Sequence, residues 1–308
     1  MIRYLKHSEV NPEKWNQAVH NSLFSTIFAE YEMLDLLTGS DTWDALVQGN
    51  YEAVMPLPYR KKGVLKYVYT PFFMPQMGIL SEKELLTNDI QDFLSEASKH
   101  FVMADLLLNE KVVFQKQYDI CFVSYILQLQ HAYSELYSQF HDNTKRNIKA
   151  GEKTQCRVTI GEEQVSKIIE MFRNNRGQMG SVHYHDRDYQ ILENVANYLL
   201  NRNLLDLYGV RTPEGKLAAG ALFVKDGKRR WFWFSGRDNA LSNSKPMFIL
   251  LNAYIRDHAE SEFVLDFNGS TNPNVARLYQ SFGSQRYDIP FVRCYKNKIW
   301  KIMLSPFI

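Results

Sequence analysis

From residue 165 onward the apolar positions first keep a helical spacing and then an extended one. Val165, Ile168, Ile169 and Phe172 fall at i, i+3, i+4 and i+7, which predicts an amphipathic helix; Leu192, Val195, Ala196 and Leu199 repeat the pattern. Three strand-like runs follow, near 205–211, 216–224 and 229–235. They are separated by Thr212-Pro213-Glu214-Gly215 and by Asp226-Gly227, a strong hairpin signal between apolar runs. Strands joined by such tight turns are antiparallel. Met247, Phe248, Leu250, Leu251, Tyr254 and Ile255 predict a long helix, with Ser244 as N-cap and Pro246 in the first turn. A short apolar strand, Phe263 to Phe267, comes next. A helix on Val275, Leu278, Tyr279 and Phe282 ends at Gly283, and two strands near 286–295 and 298–304 are expected after it. With Cys156–Ile160 as opening strand, the order is β-α-α-β-β-β-α-β-α-β-β. A three-stranded meander followed by a helix crossing to a parallel neighbour is unlike a Rossmann domain, where strands and helices alternate throughout.

The first half repeats that order in a weaker form. Helical stretches cover about 12–37. Strands are expected near 42–48, 51–59 and 64–70, broken by Gly49-Asn50 and Lys61-Lys62-Gly63. A helix near 82–99, an apolar strand at 104–108 and a strand near 122–130 complete the half. The meander, helix and strand recur about 160 residues apart as element order, not as a residue-level repeat. The expectation is an α/β chain with mixed sheets, divided into domains at 1–132 and 133–308, with a cleft between them. No Gly/Ser/Pro linker marks the join.

Composition narrows the classes. The 308 residues are 45% hydrophobic and 23% charged, which excludes a disordered, collagenous or disulfide-framework chain. A net charge of +2 argues against a dedicated nucleic-acid binder. The odd, widely spaced Cys121, Cys156 and Cys294 offer no zinc-ligand spacing. His183-Tyr184-His185-Asp186 has no third ligand at useful spacing, so no metal is expected. No run approaches the length of a membrane span and the first residues lack a signal-peptide core, so a cytoplasmic protein is expected.

Candidate chemistry gathers at three places. Asp266 and Asn268 sit at the C-terminal end of an apolar strand, where open α/β sheets place ligands. Asp266 reads either as an amine ligand or general base, or as a turn-forming residue capping the next helix. Lys145, Arg146, Lys149 and Lys153 lie on one short helix, as a phosphate clamp or as a solvated face. Trp231, Trp233 and Ser235 alternate with Phe232 and Phe234, as core or as a cleft wall. Arg237 and Lys245 flank the loop before the long helix.

The element order resembles the GNAT acyltransferase fold, and its duplication resembles the FemABX-like branch. Two stretches carry the closer likeness. Asn143-Thr144-Lys145-Arg146-Asn147-Ile148-Lys149-Ala150 is similar to the basic helix that opens the second domain of FemAB-like proteins. Leu265-Asp266-Phe267-Asn268-Gly269-Ser270, followed by Leu278-Tyr279-Gln280-Ser281-Phe282-Gly283, is similar to the family's strand end and later Phe-Gly turn. The resemblance implies transfer of an acyl or aminoacyl unit from acyl-CoA or aminoacyl-tRNA to a small or peptide-like amine. The amine would attack directly, since no Cys/His or Ser/His/Asp arrangement is legible. Asp266 or a nearby tyrosine, Tyr279, would manage the proton beside Asn268. Lys145, Arg146, Ser235, Arg237 and Lys245 would bind the substrates. The chain departs from the CoA-binding pattern at Ser242-Asn243-Ser244-Lys245-Pro246-Met247, which lacks the glycines that let amides cradle a pyrophosphate. A catalytically silent binding protein is the rival reading.

Overall fold

The computed structural model describes residues 1–112, 120–175, 184–269 and 272–304. In chain order the strands and α-helices are β1 (Ile2–Leu5), α1 (Pro12–Asn21), α2 (Tyr31–Thr38), β2 (Trp43–Gln48), β3 (Ala53–Lys62), β4 (Leu65–Val68), β5 (Leu80–Ser81), α3 (Thr87–His100), β6 (Met103–Leu107) and β7 (Ile120–Gln128). Then come α4 (Tyr133–Ser138), α5 (Asp142–Glu152), β8 (Arg157–Ile160), α6 (Val165–Asn174), α7 (Asp186–Asn201), β9 (Leu205–Arg211), β10 (Leu217–Asp226) and β11 (Arg229–Arg237). The chain finishes with α8 (Pro246–Asp257), β12 (Val264–Asp266), α9 (Pro273–Gln280), β13 (Gln285–Tyr295) and α10 (Lys298–Leu304). Two compact units result: Met1–Phe122 with Asp288–Ile308, and Val123–Tyr287.

In the second unit β9, β10 and β11 form the antiparallel meander that the turns predict. Helix α8 then carries the chain to β12, which pairs parallel to β11. The other edge of β12 pairs antiparallel with β7, Asp266 opposite Ile126. Two glycines let α6 lie directly on the meander. A Cβ on Gly236 would stand 2.4 Å from the Ile168 carbonyl oxygen, and one on Gly220 would stand 2.5 Å from the Ile168 side chain. Helix α6 turns Val165, Ile168 and Ile169 inward, as its spacing dictates. Helix α8 buries Leu250, Leu251, Tyr254 and Ile255, with the Tyr254 ring stacked on Phe223 at 3.6 Å between centroids. Such aromatic pairs add to simple area burial.

The first unit shows the same sequence of elements. Strands β2, β3 and β4 form an antiparallel meander. Helix α3 leads to β6, which pairs parallel to β4. Strand β1 extends the far edge beside β2, and Phe291–Tyr295 of β13 pair antiparallel with β6. Trp15, Phe28, Met33, Leu34 and Trp43 fill its core. Asn11 caps α1 by accepting from the Lys14 N–H at 2.9 Å, with Pro12 in the first turn.

Two sequence expectations change, and a third gains detail. The segment expected as a strand at 298–304 is the helix α10: Ile299, Ile302 and Met303 are spaced for a helix, and Asn297 Oδ1 accepts from the Trp300 N–H at 3.1 Å. The helical stretches expected over 12–37 are two helices separated by a 3₁₀ turn at Ile27–Ala29. The N-cap position of α8 is Lys245, not Ser244, because Pro246 takes the first helical position and Lys245 adopts left-handed backbone (φ 55°, ψ 40°). The Ser244 hydroxyl donates instead to the Leu241 carbonyl at 2.7 Å.

Candidate active site at the end of the β11–β12 pair

Strand β11 is nine residues long, but its register with β12 runs only from Arg229 to Trp231, opposite Val264 to Asp266. Beyond Trp231 the two parallel strands part. At that place β11 carries an extra residue. Phe223 faces Phe232 and the next residue of β10, Leu222, faces Phe234, so Trp233 is a β-bulge. Bulges re-aim the following peptide groups and recur beside active sites. After the bulge Gly236 pairs with Gly220, and the Asp238 N–H donates to the Ala218 carbonyl at 2.9 Å. By the alternation of an antiparallel ladder, the peptides of Ser235 and Arg237 turn away from β10, toward the side that β12 has left. The Arg237 carbonyl there accepts from Asn175 Nδ2 at 2.6 Å, at the end of α6. Phe234 packs on Phe172 of that helix, 4.7 Å between centroids.

Where the strands part, Asp266 ties the end of β12. Its carboxyl is fully buried and engaged on both oxygens. Oδ1 accepts from the Ser124 hydroxyl at 2.8 Å and from the Asn268 N–H at 2.9 Å; Oδ2 accepts from Arg229 Nη1 and from the Tyr287 hydroxyl, each at 2.6 Å. Complete burial raises the Asp266 carboxyl above its ordinary range, opposed first by the Arg229 charge and then by the Tyr287, Asn268 and Ser124 donors. Burial and the adjacent carboxylate push the Tyr287 hydroxyl upward. The bond from Asn268 bends the chain sharply: Asn268 and Gly269 both take positive φ, 57° and 58°. A side chain at 269 would meet the Val123 carbonyl oxygen at 2.3 Å, so glycine is required there. The next residue of the motif, Ser270, lies outside the described residues, as does His183 of the histidine pair.

The segment between β11 and α8 is a 3₁₀ helix, Asn239–Ser244. Its amides are largely spent internally. Ala240 N donates to Asp238 Oδ1 at 2.8 Å, Leu241 N to the Asp238 carbonyl at 3.2 Å, and Lys245 N to the Ser242 carbonyl at 3.1 Å. Pro246 contributes no N–H. The last turn of α5 packs here: a Cβ on Gly151 would stand 2.7 Å from Ile249 and 3.1 Å from the Ser244 carbonyl oxygen.

Residues 138–277 match the family model described as an acetyltransferase (GNAT) domain. Among solved structures, FemX matches with a TM-score of 0.66 at 10% identity, over 99% of both chains. The structure of L-PGS from Bacillus licheniformis matches at 0.54 and 10% identity, over 96% of this chain and 95% of that one. Saccharomyces cerevisiae N-myristoyltransferase with bound myristoyl-CoA matches at 0.51 and 10% identity, over 96% and 78%. The chain has the GNAT fold, in its FemABX-like form. No curated protein sequence matches it. The family match supports acyl transfer in general.

Within the GNAT fold the sequence-derived candidates separate. Asp266 and Asn268 come together through a hydrogen bond at the exit of β12. Tyr279, on α9, is buried and stacks on Phe267 at 4.8 Å. Half-buried Ser235 and exposed Arg237 end β11, and Lys245 opens α8. On α5, Arg146 is exposed, and Lys145 Nζ donates to the Ser138 carbonyl at 2.7 Å. The neighbouring Thr144 is buried, its hydroxyl donating to Ser281 Oγ at 2.7 Å. Lys149 and Lys153 sit closer to Gly151, and so to the 3₁₀ segment, than Lys145 and Arg146 do. Sequence reasoning missed Arg229, Ser124 and Tyr287, the partners of Asp266. Only the oddity of an Asp closing an apolar strand pointed to them. Among the described residues no group of three or more His, Cys, Asp or Glu is placed to hold a metal ion.

Proposed function

We propose that the chain is an N-acyltransferase that binds an activated acyl donor between the parted ends of β11 and β12 and passes the acyl group to a substrate amine. The observation that carries this reading is the β11 edge after the Trp233 bulge, with the Ser235 peptide turned outward. A donor carbonyl lying along that edge would accept from the Ser235 N–H. As the amine attacks, negative charge grows on that oxygen, and a fixed amide in a site sheltered from water stabilises it without reorganising. No covalent enzyme intermediate is needed; holding amine and carbonyl in contact supplies the rest.

Asp266 serves this site as an anchor. With both oxygens engaged by four donors and no solvent contact, it fixes where β12 leaves β11. Asn268, half-buried just past it, would orient the amine, and the hydroxyl of the buried Tyr279 would manage the proton. Arg237 and Lys245, with Lys145, Arg146 and Lys149 of α5 and Lys153 just past its end, would neutralise donor phosphates. Arg237 and Lys245, on either side of the 3₁₀ segment, would offer side-chain cations where a glycine loop would offer amides. That substitution favours an aminoacyl-tRNA, or another donor gripped chiefly by charge, over tight binding of acetyl-CoA. The two units are read as tandem versions of one fold, the second carrying the chemistry.

The test is a thermal-shift panel of acyl-CoAs and charged tRNAs. A donor far above its dissociation constant raises the melting midpoint by mass action, about 2.7 kcal/mol at a hundredfold excess. Stabilisation by one donor class, reduced by Lys245→Glu, supports the reading. No shift with any donor would leave a silent GNAT-fold binding protein.

A further inference from the structure

We infer that one end of the first unit's sheet is a docking surface for an anionic lipid bilayer. The inference stands apart from the acyl-transfer site. Two segments distant in sequence reach that end. Tyr67 of β4 pairs with Met103 of β6, and Met103 pairs with Tyr295 of β13. Just beyond that row, Val102 N donates to the Lys66 carbonyl at 3.0 Å and Lys296 N donates to the Val102 carbonyl at 3.2 Å. The β3–β4 hairpin and the start of α10 therefore leave the sheet on the same side.

Both segments carry the same chemistry. At the hairpin tip Lys61 and Lys62 are exposed and precede Val64, which is 96% exposed. On α10, Ile299, Ile302 and Met303 are 64%, 73% and 56% exposed. Their i, i+3, i+4 spacing makes them one stripe, with Lys298 along its border and Trp300 half-buried. The sequence holds no Asp or Glu from Ala53 to Leu80 or from Ile289 to Leu304. Acids of neighbouring strands are already paired, Asp44 with Lys66 at 3.5 Å and Asp105 with Arg293 at 2.5 Å.

Lysines alone would suit any polyanion. Here they border apolar side chains held out in water, and a nucleic-acid backbone gains little from an apolar hairpin tip. An anionic bilayer satisfies both: the apolar side chains enter the acyl boundary and the lysines stay among the lipid phosphates.

The test is co-sedimentation of the full chain with phosphatidylcholine vesicles, with and without phosphatidylglycerol. Binding is expected only with phosphatidylglycerol, falling as salt rises. Val64→Asp with Ile302→Glu, at positions too exposed to disturb folding, should weaken it at least tenfold with an unchanged melting midpoint. Lys61→Gln, Lys62→Gln and Lys298→Gln should each weaken it by about fivefold. Equal binding to both vesicle types, or binding indifferent to these substitutions, would overturn the inference. So would loss, in the same variants, of tRNA binding in a gel-shift assay or of self-association by light scattering in place of vesicle binding.

Discussion

Replacing Tyr287 by Phe removes one hydrogen bond and almost no volume. The hydroxyl donates to Asp266 Oδ2 at 2.6 Å, beside an Arg229 guanidinium whose side chain is 19% exposed. A hydrogen bond to a charged group contributes about 1.5–3 kcal/mol, so Tyr287→Phe should destabilise the second unit by that amount. Asp266→Ala should do more. It takes the buried carboxylate away from the Arg229 guanidinium and from the Ser124 hydroxyl and the Asn268 N–H, a loss of about 3–5 kcal/mol. Two units need not unfold together, so a single denaturant midpoint is the wrong readout. Hydrogen exchange read on peptides covering β11 and β12 reports local opening directly. There, 1.5–3 kcal/mol is roughly a tenfold to hundredfold rise in the opening equilibrium. If both variants exchange within twofold of the parent, Asp266 is no anchor. If Asp266→Ala keeps parental protection but loses acyl transfer, Asp266 is the base after all.

Two further outcomes follow from the same geometry. Folding raises the Asp266 carboxyl, so the folded state holds that proton more tightly than the unfolded chain; stability relative to Asp266→Asn should be fullest below the unfolded carboxyl range and decline as pH rises through the folded value, and hydrogen-exchange protection of the β11 and β12 peptides in the pair across pH would contradict this by showing the opposite slope. Gly236→Ala would drive a methyl to 2.4 Å from the Ile168 carbonyl, forcing α6 off the meander at about 1–3 kcal/mol, which parental hydrogen-exchange protection of the α6 and β11 peptides would refute.

The meanders were legible because turn chemistry is local: Asp226-Gly227 joins β10 to β11, with Gly227 at φ 57°. Helix α6 was legible because its buried residues keep one spacing. The parts of the site that were hidden depend on pairing across distance. Trp233 looks like any residue in an aromatic strand; its bulge exists only relative to Leu222 and Phe223. Asp266 stood out, but its partners come from β7, β11 and β13, with Ser124 142 residues away, so no spacing rule joins them. The same holds for β13, whose Phe291–Tyr295 pair with β6 of the first unit. Helix α10 was mistaken for a strand because its outward stripe is apolar, which erases the polar face that marks a surface helix.

The central claim is that the Ser235 N–H, freed from β10 by the Trp233 bulge, stabilises the reacting carbonyl. Ser235→Pro deletes that N–H where no β10 bond uses it, while Ser235→Ala removes only the hydroxyl. The measurement is the single-turnover rate of acyl transfer to an amine in both variants, with the donor class found by thermal shift and with circular dichroism matched to the parent. Loss of one oxyanion donor should slow Ser235→Pro by roughly a hundredfold to a thousandfold, with Ser235→Ala near the parental rate. Equal rates in the two variants would contradict the account.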